Sequence, residues 1–127
     1  MPPRVKTKKL VLVVTGDSKL GEIYAKRLEL RGFSCKVMTK AVKLASVMKE
    51  KNPVCVVFDF DVPGEDSFKI LEEIRHDGDV APFVGIALRG SREEIARARK
   101  LGVIAYFLKL HSDPSQIIDL IEQEIKK

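Results

Sequence analysis

Tryptophan is absent from the 127 residues, tyrosine occurs twice, and aromatic side chains make up only 6% of the chain. A flavin ring would find little to stack on, which argues against a flavodoxin-type cofactor site. Nucleic acid held by base stacking would likewise find no interleaved aromatics. Cys35 and Cys55 are the only cysteines, and neither belongs to a Cys-x-x-Cys pair or a Cys/His cluster. Metal and dithiol chemistry are set aside, and each cysteine, inside an expected strand, reads as a buried free thiol of a reducing compartment. Long hydrophobic runs are missing too, and charged residues separate the short apolar stretches, so nothing spans a bilayer. The basic residues Arg4, Lys6, Lys8 and Lys9 precede only the short run Leu10–Val14, with no small-residue cleavage site behind it. That is not a signal peptide, and a cytoplasmic protein without membrane insertion is expected.

What is present is an ordinary globular composition, 45% hydrophobic and 32% charged, at a length that suits one complete core. The net charge of +5 is spread along the chain, densest over residues 1–9 and 89–100, and forms no single stripe. A solvated surface accounts for it, so no nucleic-acid partner is expected.

The apolar pattern alternates between two kinds of element. Leu10–Val14 is a continuous apolar, β-branched run, as a strand buried on both faces requires; residues 54–58 form the most apolar strand, and residues 83–88 form another. Residues 33–38 and 103–108 complete a set of five strands. Between them run helical stripes: Leu20, Ile23, Tyr24 and Leu28; Ala41, Leu44, Ala45 and Met48; Phe68, Leu71 and Ile74; and finally Ile117, Ile118, Ile121 and Ile125. Gly32 is placed to stop the first helix, Asn52 and Pro53 to end the second, and Ser91 with Glu94 to open the fourth as a capping box. Pro114 stands at a permitted early position of the fifth. Strict βα alternation with short connections demands right-handed crossovers, hence a parallel sheet with helices on both faces. The natural solution is an α/β, three-layer flavodoxin-like fold of strand order 2-1-3-4-5, whose ligand crevice lies at the carboxyl ends of strands one and three.

Those ends deliver Thr15, Gly16 and Asp17 from strand one and Asp59 and Asp61 from strand three; Ala87 ends strand four and Lys109 follows strand five. The segment Asp59, Phe60, Asp61, Val62, Pro63, Gly64, Glu65, Asp66, Ser67, Phe68 resembles the D-x-x-x-P-G-x-D-x-F segment of bacterial response-regulator receiver domains. Gly102 to Lys109, with Tyr106 inside it, is similar to their G-A-x-x-Y-L-x-K segment. The resemblance runs over nearly the whole chain, with residues 1–8 as a basic tail and 9–127 as the receiver-like domain. It implies that Asp59 stands at the phosphoacceptor position, that Lys109 assists, and that Tyr106 is the switch-position aromatic.

Departures from the family pattern bear on that chemistry. Its acidic pair, which helps to hold Mg²⁺, aligns with Thr15 and Gly16; its Ser/Thr after strand four aligns with Ala87. Leu110 replaces the proline after the lysine, and because a cis bond before leucine costs about 2.5–4 kcal/mol, a trans bond and a reshaped loop are expected. Asp59 and Lys109 can then neutralise each other, and Mg²⁺, which demands well-placed oxygens, should bind poorly, so no cofactor is expected. A rescued metal site could use Asp17, Asp59 and Asp61, but Asp17 reads better as the cap of the first helix.

The expected function is an atypical receiver, or pseudo-receiver, that is a protein-interaction module and not an enzyme. A histidine kinase or downstream effector is the expected partner, and the face of helix four, strand five and helix five is the docking or homodimer surface. Arg92, Arg97, Arg99 and Lys100 make helix four basic, and Ile95 and Leu101 alone are its large apolar residues, so its hold on the sheet should be light. The alternative is a working phosphoacceptor, with Asp59 modified by a histidine kinase through an altered pocket. A third reading, a nucleotide-dependent oxidoreductase, rests on Val14-Thr15-Gly16 and Gly21; Leu20 occupies the middle glycine position and Gly21 falls one residue early. His76 and His111 are isolated and read as solvent-facing.

Overall fold

The computed structural model describes residues 8–125. Five strands alternate with helices: β1 Leu10–Val14, α1 Ser18–Leu30, β2 Ser34–Met38, α2 Leu44–Lys51, β3 Cys55–Asp59, α3 Ser67–His76, β4 Phe83–Ala87, α4 Arg92–Lys100, β5 Val103–Leu108 and α5 Pro114–Ile125. A 3₁₀ turn, Lys109–His111, separates β5 from α5. The strands pair in parallel in the order β2-β1-β3-β4-β5, as expected from the alternation.

Strand residues alternate between two cores, which is why β1, β3 and β4 are apolar on both sides. Leu12, Val14, Val56 and Phe58 meet Leu44 and Met48 of α2, Leu71 and Ile74 of α3 and Ala98 of α4. Val11, Val13, Val57 and Ile86 meet Tyr24 and Leu28 of α1 and Ile117, Ile118 and Ile121 of α5. Ion pairs Arg27–Asp113 and Arg31–Asp119 and Arg31–Glu122 join α1 to α5 at the surface, where each contributes little.

The helix ends are set by local chemistry. Gly32 has φ of 89°, its N–H donates to the Glu29 carbonyl, and the Phe33 N–H donates to that of Leu28. This Schellman ending needs a residue free to enter the left-handed region, which glycine supplies. Ser91 and Glu94 form the expected capping box on α4.

Several expected boundaries move. Ala41 is not in α2: its N–H donates to Glu65 Oε2 at 2.7 Å, and the helix starts at Leu44, beyond that long-range bond. β2 starts one residue late because Phe33 closes α1, and β3 runs one residue on, to include Asp59. Ile23 lies off the buried stripe of α1, which is Gly21, Tyr24 and Leu28, and is 41% exposed. Cys55 is buried as expected, whereas Cys35 on edge strand β2 is only partly covered; burial raises the thiol pKa of Cys55 to about 12 and of Cys35 to about 11. His76 and His111 are exposed.

The β4–β5 register slips between Phe83 and Val84, leaving Ile104 as the unpaired residue. This bulge turns Ile104 outward and sets Tyr106 beside Gly85. A Cβ on Gly85 would lie 2.7 Å from the Phe60 ring and 3.3 Å from that of Tyr106, so glycine makes room for both.

Candidate functional site

β1 and β3 are neighbours, and Val14 pairs with Phe58, so the next residues, Thr15 and Asp59, stand side by side at the carboxyl end of the sheet. Both are buried. Thr15 Oγ1 donates to Asp59 Oδ2 at 2.7 Å, and the Asp61 N–H donates to Asp59 Oδ1 at 2.8 Å. Lys109 starts two strands away, beyond β4, and its side chain crosses to donate from Nζ to Asp59 Oδ2 at 2.7 Å. Ala87, at the end of β4, has only a buried methyl group there. The Lys109–Leu110 bond is trans, and the 3₁₀ turn reshapes the loop that follows β5.

Asp61 contributes more than sequence reasoning assigned it. Its Oδ2 accepts the Leu88 N–H at 2.5 Å and lies 3.5 Å from Lys109 Nζ. Lys109 is therefore shared between two carboxylates, not matched to Asp59 alone as expected. The Asp61 side chain also joins the β3–α3 loop to the β4–α4 loop. From the other side of that loop Tyr106 donates its hydroxyl to the Arg89 carbonyl at 3.2 Å. The Tyr106 ring stacks on Phe60 with centroids 5.4 Å apart. Burial, then the charges of Glu94, Asp61 and Asp59, push the Tyr106 hydroxyl pKa up to about 12. Exchanging Asp61 for alanine is expected to cost about 1 kcal/mol and to speed hydrogen exchange at the Leu88 amide. Unaltered exchange at that amide would mean that the bond does not form in solution.

The remaining positions separate. Asp17 turns to α1, where its Oδ1 accepts the Leu20 N–H at 3.1 Å. Gly16 lies against the next loop, with room for a Cβ only at 3.2 Å from Pro63. Arg97 leaves the basic row of α4: it pairs with Glu72 of α3 and sits 4.7 Å over the Phe68 ring. Arg92, Arg99 and Lys100 are exposed. Among the described residues no three His, Cys, Asp or Glu side chains are gathered for a metal ion. The donor set does not fit Mg²⁺: no carboxylate stands at Thr15 or Gly16, and the Asp59 oxygens are held by Thr15, Lys109 and the Asp61 amide.

One contributor was missed in the sequence, and another was placed without its role. Thr15 was named as a pocket residue standing where the family has a carboxylate, but the bond its hydroxyl donates to Asp59 was not foreseen. Tyr24 was read as core; its buried hydroxyl has its pKa raised chiefly by burial and next by the charge of Asp59. It lines, with Lys109 and Ile86, a cavity of about 90 Å³.

Among the described residues no helix is long and apolar enough to cross a membrane. A probable transcriptional regulator ycf27 of Guillardia theta is 25% identical over 105 residues, 83% of this chain and 41% of that protein. The sensor histidine kinase RcsC of Escherichia coli (strain K12) is 24% identical over 94 residues, 74% of this chain and 10% of that protein. The chain spans between 10% and 52% of the length of the curated relatives it matches. In fold it is similar to a response regulator receiver domain protein (CheY-like) from Methanospirillum hungatei JF-1, with a TM-score of 0.84 at 18% identity over 94% of this chain and 95% of that one. The family model for the response regulator receiver domain matches residues 11–122, and it covers both strand ends that meet at Asp59 and the lysine that crosses to it. The chain belongs to the response regulator receiver domain family of two-component signalling.

Proposed function

We propose that this receiver is atypical: a protein-interaction module of phosphorelay-type signalling that works without conventional Mg²⁺-dependent phosphorylation. The observation that carries the reading is the engagement of Asp59 by its own chain, with Thr15 and Lys109 each 2.7 Å from Oδ2 and the Asp61 amide 2.8 Å from Oδ1. A carboxylate attacking a phosphoryl group needs a free oxygen and cations to offset the charge that gathers around it. Here one ammonium serves two carboxylates, and the family's acidic pair is replaced by Thr15 and Gly16.

Output then goes through contact, in the cytoplasm, with a histidine kinase or a downstream effector. The face we assign is α4–β5–α5, which carries the exposed side chains of Arg92, Arg99, Lys100 and Ile104. A second copy docking through the same face would give a homodimer. Only Ala98 of α4 is fully buried, so the helix is lightly anchored and suited to adjust to a partner.

A second reading, a working phosphoacceptor, is favoured by the position of Lys109 beside Asp59. Intact mass after incubation with acetyl phosphate and Mg²⁺ separates the two. The expected result is no gain, in the natural protein or in Asp59→Asn. A gain of one phosphoryl group that vanishes in Asp59→Asn would overturn the atypical reading in favour of the second.

A further inference from the structure

At the amino-terminal end of the sheet, opposite the Asp59 pocket, three segments enclose an open groove of about 610 Å³. The chain entering β1 supplies Lys8 and Lys9, the start of β2 supplies Ser34 and Lys36, and the end of α2 supplies Lys51 and Asn52. The half-buried Leu10, Cys35 and Val54 give it an apolar element. The backbone is firm. The Ser34 N–H donates to the Lys9 carbonyl at 2.9 Å and the Val54 N–H to the Leu10 carbonyl at 2.8 Å. Asn52 adopts φ of 48° and caps α2.

Four lysines line this groove and no carboxylate does. Lys51 lies 3.7 Å from Glu50 and also complements the carboxyl end of α2. Lys8, Lys9 and Lys36 have no acidic group within ion-pair distance among the described residues. Elsewhere Arg27, Arg31, Arg97 and Lys109, which face another element, are paired with carboxylates. Ammonium groups brought together with so little counter-charge repel one another, and an anion placed among them relieves that repulsion. The chemistry of the lining selects among anions. It has no arginine for bidentate phosphate contacts and no aromatic ring for a base to stack on. Flexible point charges around a partly apolar floor suit carboxylates carried on an extended chain.

We propose that this groove is a docking site for an acidic segment of a partner protein, a short run of Asp and Glu residues held by Lys8, Lys9, Lys36 and Lys51. It lies away from the α4–β5–α5 face and does not depend on whether Asp59 is modified. A receiver with both surfaces could hold one partner by its basic groove while engaging another through α4.

The test uses the full chain and a fluorescein-labelled oligo-glutamate peptide, with anisotropy read at physiological ionic strength. Lys36→Glu combined with Lys51→Glu is compared with Lys19→Glu combined with Lys69→Glu, which changes the net charge equally in the first turns of α1 and α3, at the other end of the sheet. All four side chains are exposed, so both variants should fold, and thermal unfolding checks this. The groove variant is expected to bind about tenfold more weakly, while the control variant stays close to the natural protein. Cys35 lines the groove and Cys55 is buried, so bound peptide should also slow alkylation at Cys35 selectively. Equal weakening in both variants, no binding to the natural protein, or tighter binding of a single-stranded oligonucleotide of equal charge would each overturn the proposal.

Discussion

Lys109→Met is expected to destabilise the fold by about 3 kcal/mol, a large part of the roughly 5–15 kcal/mol that holds an average domain together. The Asp59 side chain is only 3% exposed, and Lys109 is its cationic partner at 2.7 Å. Methionine keeps much of the lysine stem but removes the charge. Asp59 would keep hydrogen bonds from Thr15 and the Asp61 amide, but those neutral donors replace only part of what an ammonium supplies. The second carboxylate makes the loss worse, because Asp61 Oδ2 also lies 3.5 Å from the departed ammonium. Urea unfolding measures the cost, and the double variant Asp59→Asn with Lys109→Met decides its cause. Asparagine retains an acceptor for the Asp61 amide without the buried charge, so the double variant should recover more than half the loss. A double variant as unstable as Lys109→Met alone would show that lysine packing, not charge, is what the pocket needs.

Phe58→Ala is expected to cost about 3–5 kcal/mol. The ring is fully buried and meets Phe60 edge-on at 5.0 Å between centroids and Phe83 at 5.4 Å. Edge-to-face contacts of this kind add to the burial itself. Phe58 also immediately precedes Asp59, so the cavity opens beneath the candidate site and not in a distant part of the core. Phe58→Leu keeps most of the volume and should lose roughly half as much or less. Both are read from denaturant midpoints at an unchanged slope. If alanine and leucine proved equally costly, shape at this position would matter more than volume, and the packing argument would fail.

Much of the pocket was legible before any coordinates because its parts are ends of strands. Once the alternation fixes a parallel order 2-1-3-4-5, Thr15 and Asp59 must be neighbours, and a lysine just after β5 can reach the same corner. Side-chain direction was not legible to the same degree. Asp61 was weighed as a ligand of a rescued metal site, and its carboxylate turns instead to the Leu88 amide, 27 residues away. Arg97 was read with the basic row of α4, yet Glu72 and the Phe68 ring draw it to α3.

The sequence by itself determined the element order, the two-sided burial of the central strands, the capping box at Ser91 and the glycine stop at Gly32. Each follows from residues within a few positions of one another, through the period of apolar side chains or the demands of one helix end. Only the tertiary structure decided where α2 begins, that Ile104 faces outward, that Asp61 shares Lys109 with Asp59, and that four lysines gather at the amino end of the sheet. These rest on contacts between segments far apart in the chain, such as the 50 residues between Asp59 and Lys109. Such contacts exist only once helices and strands have taken their places, when a charged side chain turns to whichever partner the packing has brought within reach.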